Sequence, residues 1–590
     1  MRLKLARASH TASHISYIRC GMKPHYTLLL ILLTLAGLKG QERPTFISPI
    51  GGEIRLSGTF GELRSNHFHT GIDIKSRDGR GGDPILAAAD GYLERIRISA
   101  VGYGRAIYIA HPNGYSTVYA HLDRFHPDIE SRISDFQKKH HSAHFDLYPL
   151  AECWCVARGD TIGFMGNSGS SAGPHLHFEV RHTESETPIN PLHWHFPYQK
   201  GSKPYARKLI LYQFTDGGGV LRDRTYTLVN HMGDFKPRAG KLKVPPGRYG
   251  WAIQAIHPFN RWRNKNGLYA LESYVNGTLH YAVCMDSLPF HLNRYINAHV
   301  DYPLYCGTKQ STHSLFARPH QEASCLRFDG ERGTVLVLDS SSHRIEMELS
   351  GIEGTTSKVE FVLEGRSPES APKPEPKSGE QVSPFQTYRY SDNYISFTAP
   401  SQTFYSSHPI RISSVCEIQN SQLLPTATVE TDCHPFHKRA ELRFTQATEW
   451  PDSLRDKVFV GRFDGGRWID VGGGWEEDDF VVWINQEGDY RMCLPGPPPE
   501  IQTRMNTVRP GQRAFFQVKP QTESAFRIKD IRINIFYRNH FLPYSYDKKY
   551  QRVGFDVPID WTARDTLKIV VSDRWGQSST YHLLANGLNK

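Results

Sequence analysis

A mainly β fold divided among several domains is what this sequence predicts, and three observations carry the prediction. The 590-residue chain exceeds what one hydrophobic core usually serves. Its 49 Gly and 37 Pro supply frequent turns. It is also rich in Tyr, Phe, Val and Thr, residues that suit short strands better than long helices.

Residues 1–40 read as a leader. The run YTLLLILLTLAGL at 26–38 is apolar apart from its threonines, follows Lys23 and ends near Gly37 and Gly40. It is shorter than the about 20 residues a membrane-spanning helix needs. A short apolar run behind a positive charge and closed by small residues fits a cleavable signal peptide. The expectation is therefore an exported protein with no transmembrane segment in the mature chain; an uncleaved signal anchor is the alternative.

From 41 to 200 short apolar runs alternate with glycine-rich turns. AIYIAHPNGYSTVYAHL (106–122) reads as two strands around a Pro112-Asn113-Gly114 hairpin turn, and HLHFEVR (175–181) as another strand. Between them, DIESRISDFQKKHH (128–141) has Ile129, Ile133 and Phe136 at helical spacing after an acidic start. It reads as a surface helix in an insertion, with His140, His141 and His144 facing solvent.

A second β-rich unit is expected over 205–365. The Pro/Ser/Glu/Lys-rich stretch 366–384 reads as a solvated linker. A third unit, 385–497, ends at Pro-Gly-Pro-Pro-Pro, and 498–590 has the size of an immunoglobulin-like sandwich. The segments 345–361 and 567–583 share a strand, a Gly-centred turn and a second strand, as the closing hairpins of two such units would.

Charge excludes one function class. Residues 1–40 hold six Lys or Arg and no acid, so the formal charge of +10 falls to +4 over 41–590. That balance is too weak and dispersed for nucleic-acid binding. Of nine cysteines, Cys20 lies in the leader. Cys153, Cys155, Cys284, Cys306, Cys325, Cys416, Cys433 and Cys493 form an even set that permits disulfides in an exported chain, with the pairing unreadable.

Three short motifs carry chemistry. In His69-Thr70-Gly71-Ile72-Asp73 a fully extended strand would hold the end Cα atoms about 13 Å apart. Both side chains can share a metal only if the chain bends, and Gly71 is expected to supply the bend. In His175-Leu176-His177 residues two apart face the same side of a strand, while Leu176, Phe178 and Val180 face the core. His121 ends the apolar run Val118-Tyr119-Ala120. Taken singly, each motif also fits ordinary hydrogen-bonded histidines.

In order, H-x-G-x-D, Y-A-H-L and G-P-H-L-H-F-E resemble the lysostaphin-type zinc endopeptidases, the group that includes the β-lytic enzymes. DPILAAADG (83–91), RGDTIG (158–163) and GNSG (166–169) extend the resemblance over about residues 50–195. It implies a lysostaphin-like antiparallel β-sheet peptidase domain at 41–200, followed by β-sandwich accessory domains. It makes His69, Asp73 and His177 ligands of Zn2+ and His121 and His175 the catalytic pair beside it, their individual roles left open. The implied substrate is the peptide cross-link of bacterial peptidoglycan. The stretch from Asp123 to Val156 is longer than in compact members, which bears on the groove wall and substrate range.

Other histidines are set aside. His111 reads as structural, His67 as a neighbour of the ligands, and His193-Trp194-His195 as a second H-x-H without a carboxylate partner. Glu476-Glu477-Asp478-Asp479 reads as a solvated turn rather than a calcium loop. Two competing functions remain: a non-catalytic wall-binding scaffold of the same fold, and a surface adhesin working through 205–590. On the division expected here, a fragment of residues 41–200 would contain the whole catalytic centre.

Overall fold

The computed structural model describes residues 45–589 apart from 152–153, 216–217, 260–263, 367–378, 420–421, 446–451, 504–507, 520–523, 526–529, 548–550 and 585–586. The leader, Cys153 and most of the Pro-rich linker lie outside the described residues. The fold is mainly β, as the sequence predicts. Among the described residues no helix is long and apolar enough to cross a membrane.

The first unit contains β1 (Leu56–Gly58), β2 (Ile72–Lys75), β3 (Pro84–Leu86), β4 (Gly91–Ile98), β5 (Arg105–Ala110) and β6 (Tyr115–Ala120). It continues with β7 (Leu122–Phe125), β8 (Phe145–Leu147), β9 (Cys155–Val156), β10 (Thr161–Met165), β11 (His175–His182) and β12 (Pro188–Ile189). The main sheet runs β1-β2-β11-β6-β5-β4-β8, with β12 against β11 and β9 against β4; β3-β10-β7 form a second, smaller sheet. All pairings are antiparallel. The expected β5–β6 hairpin turns at Gly114, which is left-handed at φ +81°.

Alternation on β11 works as anticipated. Leu176, Phe178 and Val180 are fully buried, each worth about 1.5–3 kcal/mol of removed apolar surface. They join Ile72, Ile74, Ile107, Ile109 and Tyr119 in one core between the sheets. The opposite face of the same strand is left to carry His175, His177 and Glu179.

The insertion forms a helix, Pro127–His140, with Pro at its start, Asp128 and Glu130 in the first turn and Lys138, Lys139 and His140 in the last. Its surroundings differ from the expectation. Ala143 is buried in the core of the C-terminal unit, the His141 ring stacks on Phe541, and His144 meets Tyr544 edge-on. His140 and His141 are exposed, as expected, although His141 also has a ring partner in that unit; His144 is half-buried. A docking face is made of apolar and aromatic groups, and these histidines supply rings to it.

Thirteen strands between Tyr205 and Gly365 form the next sheet system around Trp251, Tyr281 and Phe361. Its buried core also takes in Phe60 and Phe68 from the first unit. Residues 380–493 supply six strands of a seven-stranded sheet and all of a five-stranded one around a common core. A core over 501–583 is sandwiched by sheets of four and five strands. The two related segments are hairpins, Ser342–Ser350 with Thr356–Gly365 and Leu567–Ser572 with Ser578–Leu584. The last unit is also tied to its predecessor: Ser524–Ala525 pairs in parallel with Arg467–Gly472.

Candidate metal centre

Two adjacent strands and the turn before one of them bring three ligand atoms together. Asp73 on β2 lies directly across from His177 on β11. His69 precedes β2, where the chain turns in from the side of the sheet. His69, Asp73 and His177 are all buried and present ligand atoms within 4.8 Å of one another. His69 Nε2 and His177 Nδ1 each lie 3.0 Å from Asp73 Oδ1.

Gly71 lies in a bend, as expected, and has a second part as well. Its backbone is not left-handed; instead a Cβ there would meet Phe178 O at 2.5 Å and His177 Cε1 at 3.0 Å. The missing side chain lets β11 approach closely enough for His177 to face Asp73.

Each ligand imidazole is oriented by its other nitrogen. His69 donates Nδ1–H to Thr59 O at 2.8 Å, leaving Nε2 as the lone-pair nitrogen. His177 donates Nε2–H to Glu179 Oε1 at 2.8 Å, leaving Nδ1. Glu179 is fully buried and also accepts from Thr70 Oγ1 at 2.7 Å, Tyr103 OH at 2.6 Å and Arg181 Nε at 2.7 Å. Burial alone would raise its carboxyl, but Arg181 and these hydrogen bonds hold it well below the usual carboxylate range.

Positive charge is favoured at the centre. Burial pulls the His177 pKa down, yet Asp73 and Glu179 outweigh it and lift the value to about 9. Asp73 is likewise held well below the ordinary range, its burial overcome by His69 and by hydrogen bonds from the surrounding histidines. Two imidazole nitrogens with fixed outer partners and one carboxylate oxygen form a donor set that suits zinc.

The other two histidines stand beside this cluster. The His121 and His175 ring centroids are 4.8 Å apart, and His121 lies 5.8 Å from His177 by the same measure. His121 donates Nδ1–H to Ser168 O at 2.9 Å, and His175 donates Nδ1–H to Gly173 O at 2.8 Å. Both therefore present Nε2 as an acceptor. His121 occupies the junction of β6 and β7 at φ +63°, an uncommon conformation for a non-glycine residue. Burial, reinforced by His177 and His175, pushes its pKa down to about 3, so the ring is neutral.

All five histidine and aspartate candidates thus converge, and the set-aside histidines do not join them. His111 bonds Asp90 O and Thr117 Oγ1, and His193 bonds Asp286. His67 is exposed at the rim of the same cavity. The acidic turn is engaged by Arg443, which reaches Glu476 and Asp479. Sequence reasoning missed Glu179, Tyr103, Arg181 and Thr59. Glu179 and Arg181 had a readable signal, because they continue the two-residue period of His175 and His177 along β11; Tyr103 and Thr59 come from other segments.

The centre opens into a cavity of about 1150 Å³. One wall is the first unit; the opposite wall is made by 290–306 of the second unit and by 433–436 and 485–487 of the third. Asn293 also clamps the chain beside the first ligand: its Oδ1 accepts from Phe68 N and its Nδ2 donates to Phe68 O at 3.2 Å. The three candidate ligands lie within 41–200, but their surroundings extend beyond it. Described cysteines are free thiols, and Cys433 hydrogen-bonds Cys306 at the far side of this cavity.

Comparison with known proteins agrees with this geometry. Residues 67–138 and 140–191 match Peptidase family M23. The chain is 35% identical over 143 residues to the DD-carboxypeptidase/endopeptidase Mpg of Neisseria meningitidis, covering 23% of this chain and 26% of that protein. It is 30% identical over 125 residues to the peptidoglycan DD-endopeptidase ShyC of Vibrio cholerae, covering 21% of this chain and 22% of that protein. The chain thus spans about a quarter of the length of these curated relatives. Among solved structures, the catalytic domain of lysostaphin from Staphylococcus simulans aligns over 24% of this chain and 91% of its own, at 20% identity and a TM-score of 0.18.

Proposed function

From the premise that residues 67–191 form a peptidase family M23 domain, we propose that this protein is an exported zinc endopeptidase acting on the peptide cross-links of peptidoglycan. The observation that carries the reading is the convergence of His69, Asp73 and His177 beside a second pair of histidines, His121 and His175. The names of the relatives supply the substrate class.

His69 Nε2, Asp73 Oδ1 and His177 Nδ1 would hold the zinc. Bound there, zinc would supply an acidified water and polarise the scissile carbonyl. The chain's own residues do the rest. Thr59 O and Glu179 keep the ligand rings from rotating. His121 and His175 are fixed through Nδ1, so their Nε2 atoms face the reacting groups. Their Nε2 lone pairs are placed to take up the proton of the attacking water and then to return it to the developing oxyanion or the leaving amine.

Cell-wall zymography with the purified full chain tests this reading. Clearing should disappear with a chelator and return with added zinc. Binding to the wall without any clearing would favour the scaffold reading instead.

A further inference from the structure

The wall facing the metal cluster has features that the hydrolytic centre does not use. It is carried by a 3-10 turn, Phe290–Tyr295, that runs directly into the short helix Ile296–His299. Asn297 on this segment is 7% exposed and lines the cavity. Its amide nitrogen reaches Tyr405, while its Oδ1 accepts no hydrogen bond among the described residues. A buried acceptor left unpaired is unfavourable unless something else completes it.

Arg294 lies three residues earlier, so the two side chains leave one side of the turn. Its guanidinium gives Nε–H and Nη2–H to a single carbonyl, Phe436 O, at 3.2 and 2.8 Å. Among the described residues it has no carboxylate partner. The nearby Glu487 is already engaged by Thr431 N, Thr431 Oγ1 and Cys433 N. The cavity is therefore lined by a cation without a counter-ion among the described residues, and beside it lies a buried carbonyl acceptor without a donor.

We propose that Arg294 and Asn297 form a substrate subsite for a peptide bearing a free carboxylate, supplied by the second unit to the catalytic centre of the first. Arg294 takes the carboxylate, and Asn297 Oδ1 accepts a peptide N–H of the same chain. A guanidinium pairs with a carboxylate through strong, directional hydrogen bonds, and an amide oxygen suits a peptide N–H. The two partners together define an anionic peptide, not a neutral glycan or a cationic peptide. Turnover at this subsite rests on the endopeptidase reading, whereas binding does not.

The test uses the full chain and two synthetic stem peptides that differ only in a free or amidated C-terminal carboxylate. Binding is followed by titration and hydrolysis by mass spectrometry. The wild type should bind and cleave the free acid about tenfold or more better than the amide, with the difference in KM. Arg294→Gln should erase that preference while zinc content stays unchanged; Arg294→Lys should retain part of it. Asn297→Leu should weaken both peptides alike. Equal binding of acid and amide by the wild type, which requires no variant to fold, would overturn the subsite. Carboxylate-dependent binding without hydrolysis of either peptide would overturn the endopeptidase reading and leave the subsite standing.

Discussion

At His177 the nitrogen that faces Asp73 is chosen by the nitrogen that faces Glu179. Removing the negative charge of Glu179 while keeping its shape therefore tests whether ring orientation governs metal affinity. Glu179→Gln should weaken zinc binding by about 10–100-fold, read by competition with a chromophoric chelator. Unchanged affinity would mean that Thr70, Tyr103 and Arg181 alone hold the site. His121 makes the opposite case, because it lies outside the His69, Asp73 and His177 cluster and its ring is held through Nδ1 by Ser168 O. His121→Ala should keep its zinc and lose about a hundredfold or more in kcat on a soluble cross-linked muropeptide. Loss of the metal together with the rate would instead place His121 in the ligand set.

At the scale of elements, the helix that lines the cavity contains a pH-sensitive contact. His299 Nε2 and His313 Nδ1 lie 2.9 Å apart, and both rings are buried. Burial holds His313 at about 4, and burial with His313 beside it holds His299 well below its ordinary 6.5. As pH falls below about 6.5 the unfolded chain binds protons at both rings while the folded chain binds none until about 4. Stability contributed here is thus full above 6.5 and declines as pH drops through that window. The melting temperature should fall from pH 6.5 to 4.5, and His313→Gln should make the decline shallower; an identical slope would exclude the pair as its source. Neither ring was legible in the sequence as part of a pair, because the contact joins a helix to a strand across a loop. What could be read was local: the two-residue period of β11, the Pro-Asn-Gly hairpin and the helical spacing of Ile129, Ile133 and Phe136. The resemblance carried by H-x-G-x-D named two candidate ligands and its glycine announced a bend, while the need for a missing side chain at Gly71 lay in the approach of a strand about a hundred residues later. The docking of His141 and His144 on the last unit was hidden for the same reason, since aromatic partners at 536–544 leave no mark on the insertion itself.

Across the whole molecule, the first two units share a core and a wall. Phe60 and Phe68 are buried among residues of the second unit, and Asn293 holds the peptide group next to His69. A fragment of residues 41–200 keeps every ligand but exposes those rings and frees that peptide. It should melt lower and hold zinc more weakly than the full chain, and extending it to residue 365 should restore affinity. Equal zinc affinity in the short fragment would show that the centre stands alone. The C-terminal unit bears on the same region from the other side, through Ala143, Phe541 and the bridge between Gly169 and Asp547. The central claim, that a zinc held by His69, Asp73 and His177 drives peptide cleavage, is tested most directly by one paired measurement on the full chain. Zinc content and hydrolysis of a purified cross-linked muropeptide are followed together in wild type and Asp73→Ala. The account predicts one zinc and zinc-dependent cleavage in the wild type, and loss of both in the variant. Full zinc occupancy or undiminished cleavage in Asp73→Ala would contradict it.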